Sequence, residues 1–369
     1  MKARLALTAL GGLALVAGIA ACNPVYVARA GWAQAKILAA REPLPLVMAD
    51  AAADPEVRGK LRLAWDARRF AVEELGFRNA GDAYTTFAEL PSDTLALVLS
   101  AARRDRLEFH TWWFPVTGRV PYRAYFSEEA ALRARDDMED RGFDTYLRPT
   151  AAFSTLGWFA DPIHSTVLRR DQVGVVETLL HELAHNHLFV PGRGRFNESY
   201  ATFAGHAAAM EFFCRRDGGG PDTTWCRRAA HRWDDARLVS RYLMELEGDI
   251  RAIYDRDDLD TPERIQRRDA RYARALEEFR TEVQPGLMAS SYDYLAREEL
   301  NNATLLSRTL YFHRLDDFHR LWQEEWHGDL AGFMAWLREE APRLDDPFQV
   351  LEAGARVVGH DALPQLPAP

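Results

Sequence analysis

His181-Glu182-Leu183-Ala184-His185 follows the apolar pairs Val175-Val176 and Leu179-Leu180, and its residue types and spacing suit metal-assisted hydrolysis. Two histidines four residues apart on a helix stand about 40° apart on one face, so both imidazoles can reach one ion. Glu182 falls to one side of that pair, where its carboxylate can take a proton from water held on the metal. Twelve residues after His185 comes Asn197-Glu198-Ser199-Tyr200-Ala201, beginning a second helical pattern that runs to about Arg216. Taken alone, Glu198 is the kind of first-turn glutamate that the helix dipole favours. Joined to the upstream motif it completes a His, His, Glu set with the fourth position left for water, the donor set of a catalytic zinc. The pattern predicts one Zn2+ per chain held by His181, His185 and Glu198, with Glu182 as general base.

The two motifs resemble the zinc-binding pair of the glutamate-liganded zincin metallopeptidases, the group that includes thermolysin and the alanyl aminopeptidases. The chain as a whole is similar to a family of bacterial lipoproteins described as predicted aminopeptidases. That closer likeness is carried also by the segment ending at Cys22, by Ala151-Ala152-Phe153-Ser154-Thr155-Leu156-Gly157-Trp158-Phe159, and by Leu300-Asn301-Asn302-Ala303. The resemblance implies an α+β, zincin-like fold in which a small mixed-sheet lobe is followed by a mainly α-helical lobe. It also implies peptide hydrolysis, with a tyrosine or histidine of the helical lobe donating to the oxyanion. In Leu310-Tyr311-Phe312-His313, Tyr311 is the preferred candidate and His313 the second. Two features depart from the group. The connection from Asn186 to Phe196 is shorter than in thermolysin-like enzymes and must turn tightly, with Pro191-Gly192 and Gly194 supplying the turn chemistry. No Gly-x-Met-Glu-Asn segment precedes the zinc helix, so the expectation of aminopeptidase action rests on the family description. An envelope endopeptidase and a non-catalytic lipoprotein with a structural zinc are the alternatives, and Glu182 weighs against the second because a structural site needs no base.

Residues 1–22 read as an export signal, with Lys2 and Arg4 before an apolar stretch from Leu5 to about Ala17 that is short for a bilayer span. Ile19-Ala20-Ala21-Cys22 is similar to the bacterial lipobox, which implies lipidation of Cys22; an ordinary cleaved signal, with Ala28-Arg29-Ala30 as its site, is the alternative. Either way the expected location is outside the cytoplasm, on the periplasmic face of the envelope. Asn23, in place of the aspartate associated with inner-membrane retention, slightly favours the outer membrane. Without residues 1–21 the net charge moves from −9 to −11, with 44 Lys and Arg against 55 Asp and Glu. An acidic chain of this kind gives no electrostatic footprint for nucleic acid and no polybasic patch for anionic lipid. The expected partners are therefore a peptide or protein substrate and, through the acyl chains, the membrane. Cys214 and Cys226 remain, either bridged, which would stabilise by roughly 2–4 kcal/mol, or as two buried thiols.

The elements that position these groups are partly legible. Residues 23–50 form a tether and helical lead, with the lead ending at Pro43 and Pro45, and residues 51–362 the metallopeptidase domain. Its strand-containing lobe spans about 100–196 and its helical lobe about 197–362; residues 363–369, rich in proline, form a disordered tail. Val57, Leu61, Leu63, Trp65, Phe70 and Val72 predict a helix from Asp54 to Leu75 that Gly76 stops. Leu107 to Val116 and Val120 to Phe126 predict a hairpin around Thr117-Gly118-Arg119. Ser127 caps a charged helix that Gly142 ends, Phe143 to Arg148 is a strand, and Asp171 caps the zinc helix. Ala152 to Phe159 is expected to be the edge strand that pairs with an extended substrate. His187, 240° round the helix from His181, is expected to be structural. His206 and Thr202 lie on the Glu198 face, His206 as a satisfied core histidine and Thr202 within reach of a ligand.

Overall fold

The computed structural model describes residues 32, 35–90, 94, 96–114, 118–150, 160–216 and 218–353. The expectations for Cys22, for the edge strand at Ala152 to Phe159 and for the tail at 363–369 lie outside the described residues. In chain order the elements are β1 (Glu42–Pro43), α1 (Leu44–Ala49), α2 (Pro55–Glu73), β2 (Thr86–Ala88), β3 (Ala96–Arg103), β4 (Trp112–Phe114), β5 (Gly118–Val120), β6 (Tyr122–Tyr125), α3 (Glu128–Asp140), β7 (Phe143–Thr150) and β8 (Ile163–His164). Then follow α4 (Gln172–His187), α5 (Gly194–Arg215), α6 (Thr224–Tyr254), α7 (Thr261–Glu278), α8 (Asp293–Arg297), α9 (Asn302–Tyr311), α10 (Leu315–Arg320) and α11 (Leu330–Glu340). The fold is mixed α+β, and it is helical after β8.

Helix starts follow local capping chemistry. Asp54 accepts from the Glu56 and Val57 amides, Ser127 from Ala130, and Asp171 from Gly174 at 2.8 Å, each satisfying amides that the first turn leaves without partners. Gly76 and Gly142 end α2 and α3 with φ of +69° and +80°, a backbone region that glycine enters at no steric cost. Two readings need correction. The lead does not end at Pro43 and Pro45, because Pro43 lies in β1 and Pro45 within the first turn of α1, where a missing amide costs nothing. The predicted hairpin is shorter and more divided than expected: β4 pairs with β5, while β6 turns away and pairs with β3. The strand at 96–103 was not expected, since its run of Ala, Leu and Val is buried on both faces and lacks a two-residue alternation.

The antiparallel sheet β6-β3-β7 has one face on α3, where Leu99, Ala101 and Met138 are buried with Phe143 and Leu147 against them. Its other face carries Ala102 and Tyr146 against Ala303 and Leu306 of α9. The main core lies among α2, α4, α5 and α11, with Tyr200, Phe203, Trp233, Phe318 and Trp322 at 0–1% exposure. A second core packs α6 and α7 with α8. Cys214 at the end of α5 and Cys226 at the start of α6 are joined by a disulfide, which closes the glycine-rich connection between the two helices.

Candidate functional site

Helix α4 presents His181, Glu182 and His185 from its last two turns, and α5 packs along it to present Glu198. Glu198 sits in the second turn of α5 and not the first, because the helix already begins at Gly194. Both imidazole Nε2 atoms stand 3.5 Å from Glu198 Oε2, and the three donor atoms lie within 4.8 Å of one another. That spacing is long for a charge-assisted hydrogen bond. It matches the edge of a tetrahedron around zinc, since bonds of about 2.0–2.1 Å place ligand atoms about 3.4 Å apart. The residues present therefore fit a zinc ion. Burial alone would raise the Glu198 carboxyl, but the two imidazoles beside it outweigh burial and hold it well below the ordinary range. Burial works against the His185 cation, and Glu198 with Glu182 more than offsets it, so its pKa is raised. Glu182 lines a small pocket together with Ile163, His164, Val175 and Leu179. Burial there raises its pKa, and the neighbouring imidazoles oppose the shift.

Each residue flanking Glu198 fixes a neighbour. Asn197 accepts from the Val190 amide at 2.8 Å and donates to the Val190 carbonyl at 2.9 Å, holding the short α4–α5 connection in which Gly192 takes φ +76°. Ser199 donates to the Leu310 carbonyl and accepts from the His313 amide, so it grips the end of α9 on both sides of Tyr311. At the other end of α9, Asn301 donates to the Thr145 carbonyl, and Asn302 bonds Tyr254, Tyr272, the Arg103 and Arg106 carbonyls and, through its amide, Asp144. The Asn301-Asn302 segment thus sets the helix that ends in Tyr311 against β3 and β7.

The α4–α5 contact is close because Gly205 lies at the crossing. A Cβ there would stand 2.8 Å from the Glu177 carbonyl oxygen and 3.0 Å from His181 Cβ, and neither can yield without moving α4. Gly205→Ala is expected to cost about 1–3 kcal/mol by overpacking and to weaken metal binding by shifting His181 from Glu198. Thermal melting and a competitive chelator titration check this. A variant that melts like wild type and holds metal as tightly would show that the crossing does not set the donor spacing.

Tyr311 is where the candidate donor was expected. Its ring stacks on His181 with centroids 6.1 Å apart and planes 25° apart. Burial pushes its pKa up to about 12 against the pull of Arg148, so the hydroxyl keeps its proton. His313 is not brought to the site: its ring lies on Phe348 at 4.8 Å. His187 is structural, with Nδ1 accepting from the Arg78 amide at 3.0 Å and Nε2 3.3 Å from the Met334 carbonyl. His206 has its Nδ1 3.0 Å from Glu177 Oε1, an ion-pair contact without hydrogen-bond geometry. Thr202 is buried, and no hydrogen bond joins its side chain to a donor residue among the described residues.

Two residues at the site escaped the sequence reading. Arg148 of β7 donates to the Tyr311 hydroxyl at 2.9 Å. Tyr122 of β6, half-buried, stands in the fields of Glu198, Tyr311, Arg148 and Glu182 and is raised chiefly by burial. Register places Tyr122 opposite Ser100 and Arg148 opposite Val98, two residues away, so both lie on the α9 face of the sheet. The available signal was the alternation Asp144, Tyr146, Arg148, a strand face too polar to be plain core.

Comparison with curated proteins and with solved structures gives no match. A family model does match, over residues 25–344, and so takes in the donor triad, Glu182, Arg148 and Tyr311. The chain belongs to the family described as "Putative aminopeptidase".

Proposed function

We propose that the protein is a zinc-dependent peptide hydrolase, an aminopeptidase by its family, that works on the periplasmic side of the envelope from a lipid anchor on Cys22. The observation that carries this reading is the donor spacing: two imidazoles 3.5 Å from one carboxylate oxygen, with a second, buried carboxylate, Glu182, beside them that is not a donor. His181, His185 and Glu198 would hold the zinc. When bound, the ion supplies Lewis acidity to the substrate carbonyl and lowers the pKa of water.

The chain's own groups account for the rest. Glu182, kept basic by its apolar surroundings, accepts the proton of the attacking water at its carboxylate and returns it to the leaving amine. Tyr311, held by Ser199 below and Arg148 above and protonated well past neutral pH, donates to the carbonyl oxygen as charge gathers there. The sheet face with Tyr122 and Arg148 covers the site and limits water.

Metal analysis together with peptide turnover tests the reading. About one zinc per chain is expected, the load of a single three-ligand site, and His185→Ala should lose metal and turnover together. Peptides with free and blocked amino ends separate aminopeptidase from endopeptidase action. Substoichiometric metal after purification without chelators, or a wild type that hydrolyses neither peptide, would sink it.

A further inference from the structure

Several interior arginines among the described residues face a carboxylate: Arg195 meets Glu247, Arg232 takes Glu177, Arg268 takes Asp144, and Arg308 takes Glu298. Arg148 is different. Among the described residues its guanidinium forms no ion pair, and its one polar contact is the Tyr311 hydroxyl, with the carbon of the guanidinium 5.4 Å from the centre of that ring. A guanidinium carries five N–H donors in a planar fork, so most of its donor capacity is left over. Glu198 acts on it only through space, without an ion pair; a half-buried charge without a hydrogen-bonded counter-charge is costly, and the planar fork is matched best by a carboxylate. The missing partner is therefore an anion that arrives with the substrate.

Its position says which anion. The Arg148 fork touches the Tyr311 hydroxyl, the group that faces the reacting carbonyl in the mechanism above. Successive residues of a peptide are about 3.8 Å apart, so an anion on the fork belongs to the residue directly after the scissile bond. Resting on the proposed hydrolase reading, we infer that Arg148 receives the free α-carboxylate of that residue, and that the preferred substrates are peptides ending one residue past the cleaved bond. Dipeptides and the carboxyl-terminal bonds of longer peptides share this chemistry. Arg148 acts in specificity, and Tyr311 remains the donor to the oxyanion.

The test uses the full chain and three variants of one ligand: an alanine-containing dipeptide, its carboxyl-terminal amide, and its amino-acetylated form. Wild type should cleave the acid with kcat/KM about 10–100-fold above the amide, the usual worth of a charge-assisted hydrogen-bonded contact. Arg148→Met should erase that ratio, the acid losing about 10–100-fold more than the amide and mainly through KM, beyond whatever loss common to both follows from releasing Tyr311; Arg148→Lys should restore part of the ratio. A role confined to holding Tyr311 would instead lower acid and amide equally, which would overturn the proposal, as would a wild type indifferent to amidation. Cleavage of the acetylated acid assigns the carboxyl-terminal bond as the target, and its refusal assigns dipeptides. Calorimetric binding of the same ligands separates the two readings. Acid-selective binding lost in Arg148→Met, without turnover by wild type, would defeat the hydrolase reading and keep the carboxylate receptor. Equal binding of acid and amide would defeat the receptor.

Discussion

Glu182→Gln should leave the protein folded and metal-loaded while peptide turnover falls by a factor of at least hundreds. The magnitude follows from the usual worth of a positioned general base, about 10²–10⁴-fold. The separation of effects follows from placement. Glu182 is only 9% exposed, packs with Ile163, His164, Val175 and Leu179, and is not one of the three clustered donors His181, His185 and Glu198. An amide has nearly the shape of the carboxylate, so packing in that pocket survives, and loss of a buried charge whose burial raises its pKa should leave melting unchanged or slightly higher. Three measurements on one preparation decide it: zinc content, melting temperature and kcat. Full activity in the variant would remove Glu182 from the role of base. Loss of zinc along with activity would make it a metal residue and require a different site.

The second large effect concerns stability. Glu177, one turn before His181, is buried, bonded by Arg232 of α6, with Nε 2.8–2.9 Å from both carboxylate oxygens, and contacted by His206 of α5. It thereby ties α4, α5 and α6 together. Burial alone would raise its pKa; His206 and Arg232 prevail and hold it at about 2, below its ordinary 4.5. Arg232→Met leaves that carboxylate with His206 alone, and removal of one partner of a buried pair costs up to about 3–5 kcal/mol. The sign of the pH dependence follows from the depressed pKa. In wild type the Glu177 contribution is complete above about pH 4.5 and is lost as pH falls toward 2. In the variant Glu177, left with His206 alone, gains by protonation, so the deficit should narrow over the same window. Denaturant titrations at pH 7 and pH 3.5 measure it. A deficit of similar size at both pH values would point to lost packing of the arginine stem as the cause.

The local features were legible because they depend on neighbours in sequence. A four-residue histidine spacing puts two imidazoles on one face wherever a helix forms, and Asp54, Ser127 and Asp171 cap helices through amides two or three residues on. Glu198 was readable for a similar reason, since a short connection forces α5 back along α4. Even there the helix start was misjudged by a turn, because no side chain caps α5 and its beginning is held by the tertiary contact of Asn197 with Val190.

What the sequence by itself determined is the set of groups that the proposed chemistry would use: the two histidines, the glutamate between them, the glutamate of the next helix, and Tyr311 as a donor proposed through family likeness. What only the tertiary structure decided is the surroundings of that chemistry. Arg148 and Tyr122 come to the site because β6 and β7 flank β3 in a register that turns them to one face, and strand pairing is a relation between distant segments. His313, two residues from Tyr311 and the second candidate, faces Phe348, since the chain leaves the helix after Tyr311. Glu177, Arg232 and His206 form one network across three helices, and Asn302 joins α9 to β3 and β7. The physical reason is the same in each case. Intervals along a helix are set by backbone geometry, whereas the partner of a buried charge is set by how whole elements pack.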